Sequence, residues 1–540
     1  MPFTQTKCDK CGKVFKSTKE YHIGAKLAYV GECGHLMIAD ATKPIAQESL
    51  ENYETLDGKK PYPYQIEGVR FIEQSGGRAL IMDEQGLGKT WQASIFLACH
   101  RDQWPFAVIC KSALKTQWDR ELYRIIGDDD LMVQVVDETK EKLWPKASGY
   151  IFSFDALWRF EDDKNTKNGG TSLLEFFAKR GIKTVIIDEC QQIKNTEAKR
   201  SMAVRKLTKD MPNIIALSGT PIKNNASEFF SILNILKPKL YYNKTRFITW
   251  ECESIWDRYR YKVGGLKYPD QFKEKTKDFI IRRTREDVLP DLPKVSRYNH
   301  FSDLSEDVTK EYRHQMEMFV DEYDAPPSFE KSSNLMAYMA KMRHITGQSK
   351  ISDTIDFTME FLESTDRKLC IFVHHKDVGV ELAKRIRESV YEDVNTGEPT
   401  STEVLELTAG NPNRDTIVQQ FNSKEKGTAR VMVASTLASG EGLNLQSWSD
   451  CIIHERQWNP ANEEQVEGRF IRIGQQSSRV TANYMLAVGT IDDYFSELVE
   501  RKRQYCKSSY GEEYVQWDES SLMKELMETL ATKGRQQWRL

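Results

Sequence analysis

Short apolar runs recur through the first half of the chain, each followed by a stretch whose apolar residues return with helical spacing. Runs at 79–82, 106–110, 150–154, 184–187 and 214–217 are too short for helices and read as buried strands. Strands alternating with helices predict a mostly parallel sheet covered on both faces. A polar stretch from Glu161 to Thr171, with Gly169-Gly170, predicts an exposed loop within this unit. Between 240 and 350 the strand signal disappears, and the chain is aromatic, charged and helical in pattern, broken at Pro326-Pro327. Strand–helix alternation resumes with runs at 369–373, 403–407, 430–434, 451–454 and 480–485. The pattern therefore predicts an α/β protein with units at 50–240 and 351–510, a helical region at 241–350, a small module at 1–45 and a tail at 511–540.

Composition adds limits. At 540 residues, 39% hydrophobic and 29% charged, the chain suits a globular protein of several domains. No apolar run approaches the roughly 20 residues that span a bilayer. The segment from Met1 to Cys8 lacks the apolar core of a signal peptide. An intracellular location without a membrane partner is expected: cytoplasmic in a bacterium or phage-infected cell, nuclear in a eukaryote. The ten cysteines are scattered, and Cys110, Cys190, Cys370 and Cys451 fall on predicted strands or their ends, as reduced, packed thiols do. A net charge of only −3 means that any nucleic-acid surface is a local basic patch.

The most informative stretch is Asp83-Glu84-Gln85-Gly86-Leu87-Gly88-Lys89-Thr90, between the first strand and a predicted helix at 91–100. Backbone N–H groups of such a turn converge on one point, and the helix N-terminus adds partial positive charge. Lys89 can reach the outer phosphates of a nucleotide, and Thr90 can ligate Mg²⁺. Gln85, Gly86, Leu87 and Gly88 complete the cradle. Asp83 stands where the general phosphate-loop pattern has glycine.

Asp188-Glu189 follows the apolar run 184–187, which delivers two carboxylates to a strand end, where open α/β sheets bind ligands. Asp188 is placed to hold Mg²⁺, and Glu189 to orient and deprotonate the attacking water. Far along the chain, Gln465, Arg469 and Arg472 are spaced by four and three, which on a helix puts them on one face. Two arginines aimed at one point need an anion, and a γ-phosphate supplies it. Such an arginine finger is worth about 10³–10⁵ in rate. Upstream, Ser439-Gly440-Glu441-Gly442 makes a glycine-bearing turn, with Gly442 a further nucleotide-site candidate.

Together these motifs resemble the Swi/Snf-type ATPases of helicase superfamily two. The spelling of the phosphate turn, Ile193-Lys194-Asn195, Leu217-Ser218-Gly219-Thr220-Pro221 and the run 435–475 carry the likeness, which covers 55–505. Gly77-Arg78 and the stretch from Val488 to Tyr494 look most like the compact annealing-helicase, fork-remodelling branch. The resemblance implies two RecA-like lobes with helical protrusions at 241–350. It implies ATP-driven translocation on double-stranded or branched DNA, by a monomer. It implies that Tyr62 and Gln65, in Pro61-Tyr62-Pro63-Tyr64-Gln65, read adenine. It makes Ser218 and Thr220 candidates for coupling the nucleotide to DNA-driven closure. Gln191 departs from the family pattern, where most relatives carry histidine. A motor that displaces proteins from DNA is the near alternative, and an ATP-gated DNA clamp with little turnover the distant one. A nuclease is disfavoured, because little chain follows Arg503.

Between Gln271 and Arg285, six basic residues (Lys273, Lys275, Lys277, Arg282, Arg283, Arg285) face only Glu274 and Asp278, a candidate DNA patch. The resemblance favours a structural or regulatory role for Arg282 and Arg283, and points to the 111–115 lysines and Lys223 as DNA contacts. Near the N-terminus, Cys8 and Cys11 with Cys33 and His35 suggest one tetrahedral Zn²⁺ site. The 21 residues between Cys11 and Cys33 suffice for a hairpin. A module this small needs such a staple. His22 is a weaker alternative ligand. Such a zinc ribbon binds nucleic acid or a protein partner.

Overall fold

In the computed structural model, the described residues are 50–540 without 128–130, 137–141, 163–171, 220–225, 258–259, 329, 409–413, 424–428, 437–444, 458–459, 472–474, 509–518 and 539–540. Five N-terminal strands, Gln5–Lys7, Val14–Lys16, Glu20–Ile23, Lys26–Val30 and Leu36–Asp40, are also described. The first two pair antiparallel, and the last three form an antiparallel meander. Cys8, Cys11, Cys33 and His35 lie outside the described residues.

Lobe 1 is built on β1 (Arg78–Ile81), β2 (Phe106–Cys110), β3 (Val133–Val135), β4 (Gly149–Ser153), β5 (Thr184–Ile187), β6 (Asn213–Leu217) and β7 (Ile280–Ile281). Their order is β7-β1-β6-β5-β2-β4-β3, and every pairing is parallel. Successive side chains of a strand point to opposite faces. Val185 and Ile187 accordingly join the core on one side, with Leu80, and Ile186 joins the core on the other, with Ala79 and Ile81. Burial on both faces is why these strands read as unbroken apolar runs.

Lobe 2 repeats the plan with β8 (Val295–Ser302), β9 (Leu369–Val373), β10 (Val404–Leu407), β11 (Val431–Ser435), β12 (Asp450–Ile453) and β13 (Val480–Ala487). The order is β8-β13-β12-β9-β11-β10, again all parallel. The chain is thus α/β, with two parallel-sheet, RecA-like lobes.

The helices that matter below are α1 (Pro63–Gln74), α2 (Lys89–Cys99), α3 (Lys244–Glu251), α4 (Glu306–Asp324), α5 (Lys331–Ser349), α6 (Pro460–Glu467), α7 (Ile491–Ser508) and α8 (Glu519–Trp538). Among the described residues, no helix is long and apolar enough to cross a membrane.

Two expectations change. The region 241–350 is not purely helical: it holds β7, β8 and an antiparallel pair, Cys252–Asp257 with Arg260–Leu266. β7 is only two residues long, and β8 mixes polar and charged residues, so neither reads as an apolar run. Nor is 511–540 simply a tail. Its α8 buries Leu526 and Leu530 in one core with Tyr312 and Phe319 of α4, Met339 of α5 and Phe495 of α7. The spacing of four between Leu526 and Leu530 puts both on the packed face.

Candidate nucleotide site

β1 delivers the chain at Met82 into the turn that starts α2. Gly86 and Gly88 take positive φ, 90° and 73°, which a side chain disfavours. The first turn of α2 has no side-chain cap at Gly88, leaving its N–H groups open to an anion. The Lys89 ammonium donates to the carbonyls of Asp83 and Glu84 at 2.7 and 3.2 Å. It is therefore held over the turn it closes.

From α1, the Tyr64 hydroxyl and Gln65 Nε2 both donate to the Leu87 carbonyl, at 2.9 and 3.2 Å. Gln65 Oε1 accepts from the Tyr62 N–H at 3.0 Å. Gln65 thus links α1 to the phosphate turn, while its amide keeps a second N–H and a second lone pair. Tyr62 is half-exposed and lies 6.0 Å from the Tyr64 ring, centroid to centroid.

Asp83 is fully buried. Arg283 grips it side-on, Nε to Oδ1 at 2.9 Å and Nη2 to Oδ2 at 2.7 Å. The same guanidinium donates to Gln92 Oε1 at 2.9 Å, to the Tyr64 carbonyl and to Glu67. Gln92 in turn donates to Asp83 at 2.7 Å. A buried charge pair persists when its remaining hydrogen bonds are met, as here. Next along, Arg285 binds Glu84 through its backbone N–H and Nε at 2.8 and 2.7 Å. Burial works against the Glu84 charge, but Arg285 outweighs it and holds the carboxyl below its usual range. Gly68 must be glycine because a Cβ there would meet Gln92 and Arg283. So Arg283 and Arg285 belong to the phosphate turn and not to a DNA patch. Lys115 is likewise buried and donates to the Val136 carbonyl at 3.1 Å, which removes it from the DNA contacts.

β5 ends at Asp188 and Glu189. Asp188 is buried; its Oδ2 accepts from the Trp118 indole at 2.8 Å and its Oδ1 from the Glu189 N–H at 2.9 Å. Burial, reinforced by the Glu189 charge, pushes Asp188 up to about 6. A cation beside it would reverse that shift, which fits a Mg²⁺ ligand. Glu189 has φ 50°, the one positive φ outside glycine among the described residues. Such strain costs about 1–3 kcal/mol and collects at functional sites. Gln191 donates to the Glu189 carboxylate, and its Oε1 accepts from the Ser218 hydroxyl at 2.8 Å. The glutamine standing in place of histidine thus joins the second motif to the third without a titrating ring. A Cβ on Gly219 would lie 2.9 Å from Gln85 and 3.5 Å from the Lys89 ammonium, so the third motif packs directly on the first.

Lobe 2 reaches the same point. A Cβ on Gly468 would lie 3.6 Å from Gln85 Oε1. Gln465 rides on α6, but α6 ends at Glu467. Arg469 sits in the tighter turn that follows, its carbonyl accepting from the Leu445 N–H at 3.1 Å. The helical face expected of Gln465 and Arg469 is therefore cut short by Gly468, which approaches lobe 1. Arg472, Gly442, Thr220 and Lys223 lie outside the described residues. The residues that sequence reasoning missed are Trp118, Gln92 and Tyr64; Asp83 in place of glycine was the signal that a cation had to come from elsewhere.

A family model described as the SNF2-related domain matches residues 64–364, and one described as the helicase conserved C-terminal domain matches 349–474. The bovine "DNA annealing helicase and endonuclease ZRANB3" is 25% identical over 495 residues, covering 88% of this chain and 43% of its own length. The Caenorhabditis elegans "SWI/SNF-related matrix-associated actin-dependent regulator of chromatin subfamily A-like protein 1 homolog" is 26% identical over 452 residues, covering 82% and 60%. The Bacillus subtilis "Putative ATP-dependent helicase/translocase YwqA" is 27% identical over 467 residues, covering 82% and 48%. The chain spans less than two thirds of each of these curated relatives. The Sulfolobus solfataricus SWI2/SNF2 ATPase core in complex with dsDNA aligns at a TM-score of 0.38 and 24% identity, over 85% of this chain and 94% of that one.

Proposed function

The chain belongs to the SNF2-related family, and from that premise we propose that it is an ATP-driven motor that moves along double-stranded DNA and remodels or re-anneals branched DNA. The observation that carries this reading is convergence. The phosphate turn, the Gly219 segment and Gly468 of the other lobe all meet at Gln85, with Lys89 beside Gly219.

Lys89 and the open N–H groups of α2 would hold the outer phosphates of ATP. Thr90 and Asp188 would hold Mg²⁺, which when bound neutralises phosphate charge. Glu189 would take the proton of the attacking water at its carboxylate, held in place by Gln191. Arg469, with Arg472, would bring positive charge from lobe 2 only when the cleft closes, which ties hydrolysis to lobe movement. Ser218, bonded to Gln191, lies on the route by which a shift of DNA would reach Glu189. The bonds of Gln191 to Glu189 and Ser218 support a coupling role for it over a clamp with little turnover.

The test is ATP hydrolysis with single-stranded, duplex and forked DNA. Duplex or forked DNA should stimulate turnover. Lys89→Ala should abolish it, and Glu189→Gln should bind ATP without hydrolysing it. Either variant turning over at the wild-type rate overturns the site.

The N-terminal module would hold one Zn²⁺ through Cys8, Cys11, Cys33 and His35. Each ligand pair falls in sequence between two strands that pair antiparallel, as hairpin-borne zinc ligands do. It would dock DNA or a protein partner. Metal analysis finding no zinc in freshly purified protein overturns this.

A further inference from the structure

Outside the nucleotide site, lobe 1 exposes a group of aromatic side chains. α3 buries Phe247 in the lobe 1 core and exposes Arg246 and Trp250 on the flank beside it. Arg246 and Trp250, four apart on α3, share a face, and Tyr242, just ahead of the helix, joins them through Arg246. Tyr242 is 60% exposed and Trp250 69%. The Arg246 guanidinium donates to the Tyr242 hydroxyl at 2.7 Å and lies 5.7 Å from the ring centroid. At the far end of α3, the Lys267 N–H donates to the Glu251 carbonyl at 2.8 Å. That bond fixes Lys267 against the end of α3, and Tyr268, itself 53% exposed, is the next residue along.

Single exposed apolar residues are ordinary on a surface, but a contiguous set marks a contact site. Tryptophan and tyrosine are large rings that folding normally buries. The surrounding charge narrows the partner. Arg246 and Lys244 lie on α3 itself, and the stretch of chain from Lys237 to Asp278 carries eleven basic and six acidic residues, of which Lys275 pairs with Glu251 and Lys277 with Glu274. An acidic peptide would satisfy the cations but leave three flat aromatic faces unused. A nucleic-acid strand uses both, because its bases stack on rings and its phosphates meet lysine and arginine. Duplex DNA hides the faces of its bases, so the strand must be unpaired. This surface is also tied to the catalytic segment: the Lys244 ammonium donates to Thr196 Oγ1 at 3.4 Å, a few residues past Glu189.

We propose that Tyr242, Arg246, Trp250 and Tyr268 form a binding surface for the unpaired strand of branched DNA, made of residues other than those of the nucleotide site. The inference rests on reading the chain as a DNA motor, and it adds which part of a branched substrate lobe 1 recognises.

The experiment uses the full chain and three labelled probes: an oligothymidylate, a duplex of the same length and a fork with one unpaired arm. Anisotropy gives affinity, and duplex-stimulated ATP hydrolysis is measured alongside. Stacking on one aromatic ring is worth about tenfold in affinity or more. Trp250→Ala should weaken oligothymidylate binding about tenfold, and Tyr242→Ala with Trp250→Ala about a hundredfold. Both variants should keep duplex-stimulated turnover, and the fork should lose its advantage over the duplex. Trp250→Phe, which keeps a stacking face, should retain most of the affinity. Because both side chains are exposed, the melting temperature should not move. Unchanged oligothymidylate affinity in the double variant overturns the proposal and leaves a protein surface. So does an equal loss on oligothymidylate and duplex, which would mean charge alone. A wild-type protein with no DNA-stimulated hydrolysis would instead fail the motor reading itself.

Discussion

Both lobes contain a buried arginine gripping a buried carboxylate, but the chain closes the two pairs over different distances. In lobe 2, Arg456 binds Glu463 of α6 at 2.8 Å, only seven residues away, and reaches Glu500 and Ser496 of α7. In lobe 1, Arg283 binds Asp83 across 200 residues. The local pair braces the helix that carries Gln465. The distant pair bolts the segment leading into lobe 2 onto the phosphate turn, through β7 and the Arg283 carbonyl, which accepts from the Glu84 N–H at 2.9 Å. The same device stabilises an element in one lobe and couples two parts of the motor in the other.

The largest expected effect tests whether lobe 2 acts on the nucleotide at all. Arg469→Ala should cut turnover by about 10³ or more, the low end for a lost arginine finger, with ATP affinity kept by Lys89. Wild-type turnover in this variant would leave lobe 1 working alone, and the comparison would lose its meaning.

Next come the pairs themselves. Arg283→Ala and Arg456→Ala should each lower unfolding free energy by about 3–5 kcal/mol, because each strands a buried carboxylate. Only Arg283→Ala should also raise KM for ATP, since Asp83 belongs to the phosphate turn. Arg283→Lys should not restore it, because an ammonium cannot reproduce the side-on grip. Equal KM values for the two alanine variants would erase the distinction drawn between the pairs.

The smallest expected effect is in pH dependence, where the lobes should respond with opposite sign. His454 of lobe 2 is fully buried between Thr354 Oγ1 and the Gly347 carbonyl, each at 2.8 Å. Burial, with Lys350 nearby, lowers it to about 4 despite Glu455 and Asp492. Protonation therefore favours the unfolded chain, and about 2–3 kcal/mol is lost as pH falls from 6.5 toward 4. His100 of lobe 1 is raised: burial opposes its charge, but Glu73 at 3.3 Å and the Phe96 carbonyl prevail. Its contribution is complete below pH 6.5 and fades as pH rises through the elevated pKa. Urea unfolding of His454→Gln and His100→Gln across pH 5–8 should shift the profiles in opposite directions. Parallel shifts would refute the assignment.

Much of this was legible along the chain. The ten strands read from apolar runs are all present with ends within two residues, because burial on both faces leaves an unbroken apolar signature. β3, β7 and β8 were missed, being short or polar. The phosphate turn and Asp188-Glu189 were legible because each motif is a local strand-to-turn geometry. The bonds of Gln65 to Leu87 and Tyr62 were not, because the spacing of a motif does not say which way an amide turns.

By itself the sequence determined the two-lobed α/β plan and the residues around which the cleft is built, since hydrophobic period and backbone turn chemistry act over a few residues. Only the tertiary structure decided what those residues touch. It bound Asp83 to Arg283, placed Gln191 between Glu189 and Ser218, ended α6 before Arg469 and brought α8 onto the helices of lobe 2. Those partners are chosen by desolvation. A buried charge or apolar face must be met by whatever segment packing brings beside it, and that segment can lie hundreds of residues away.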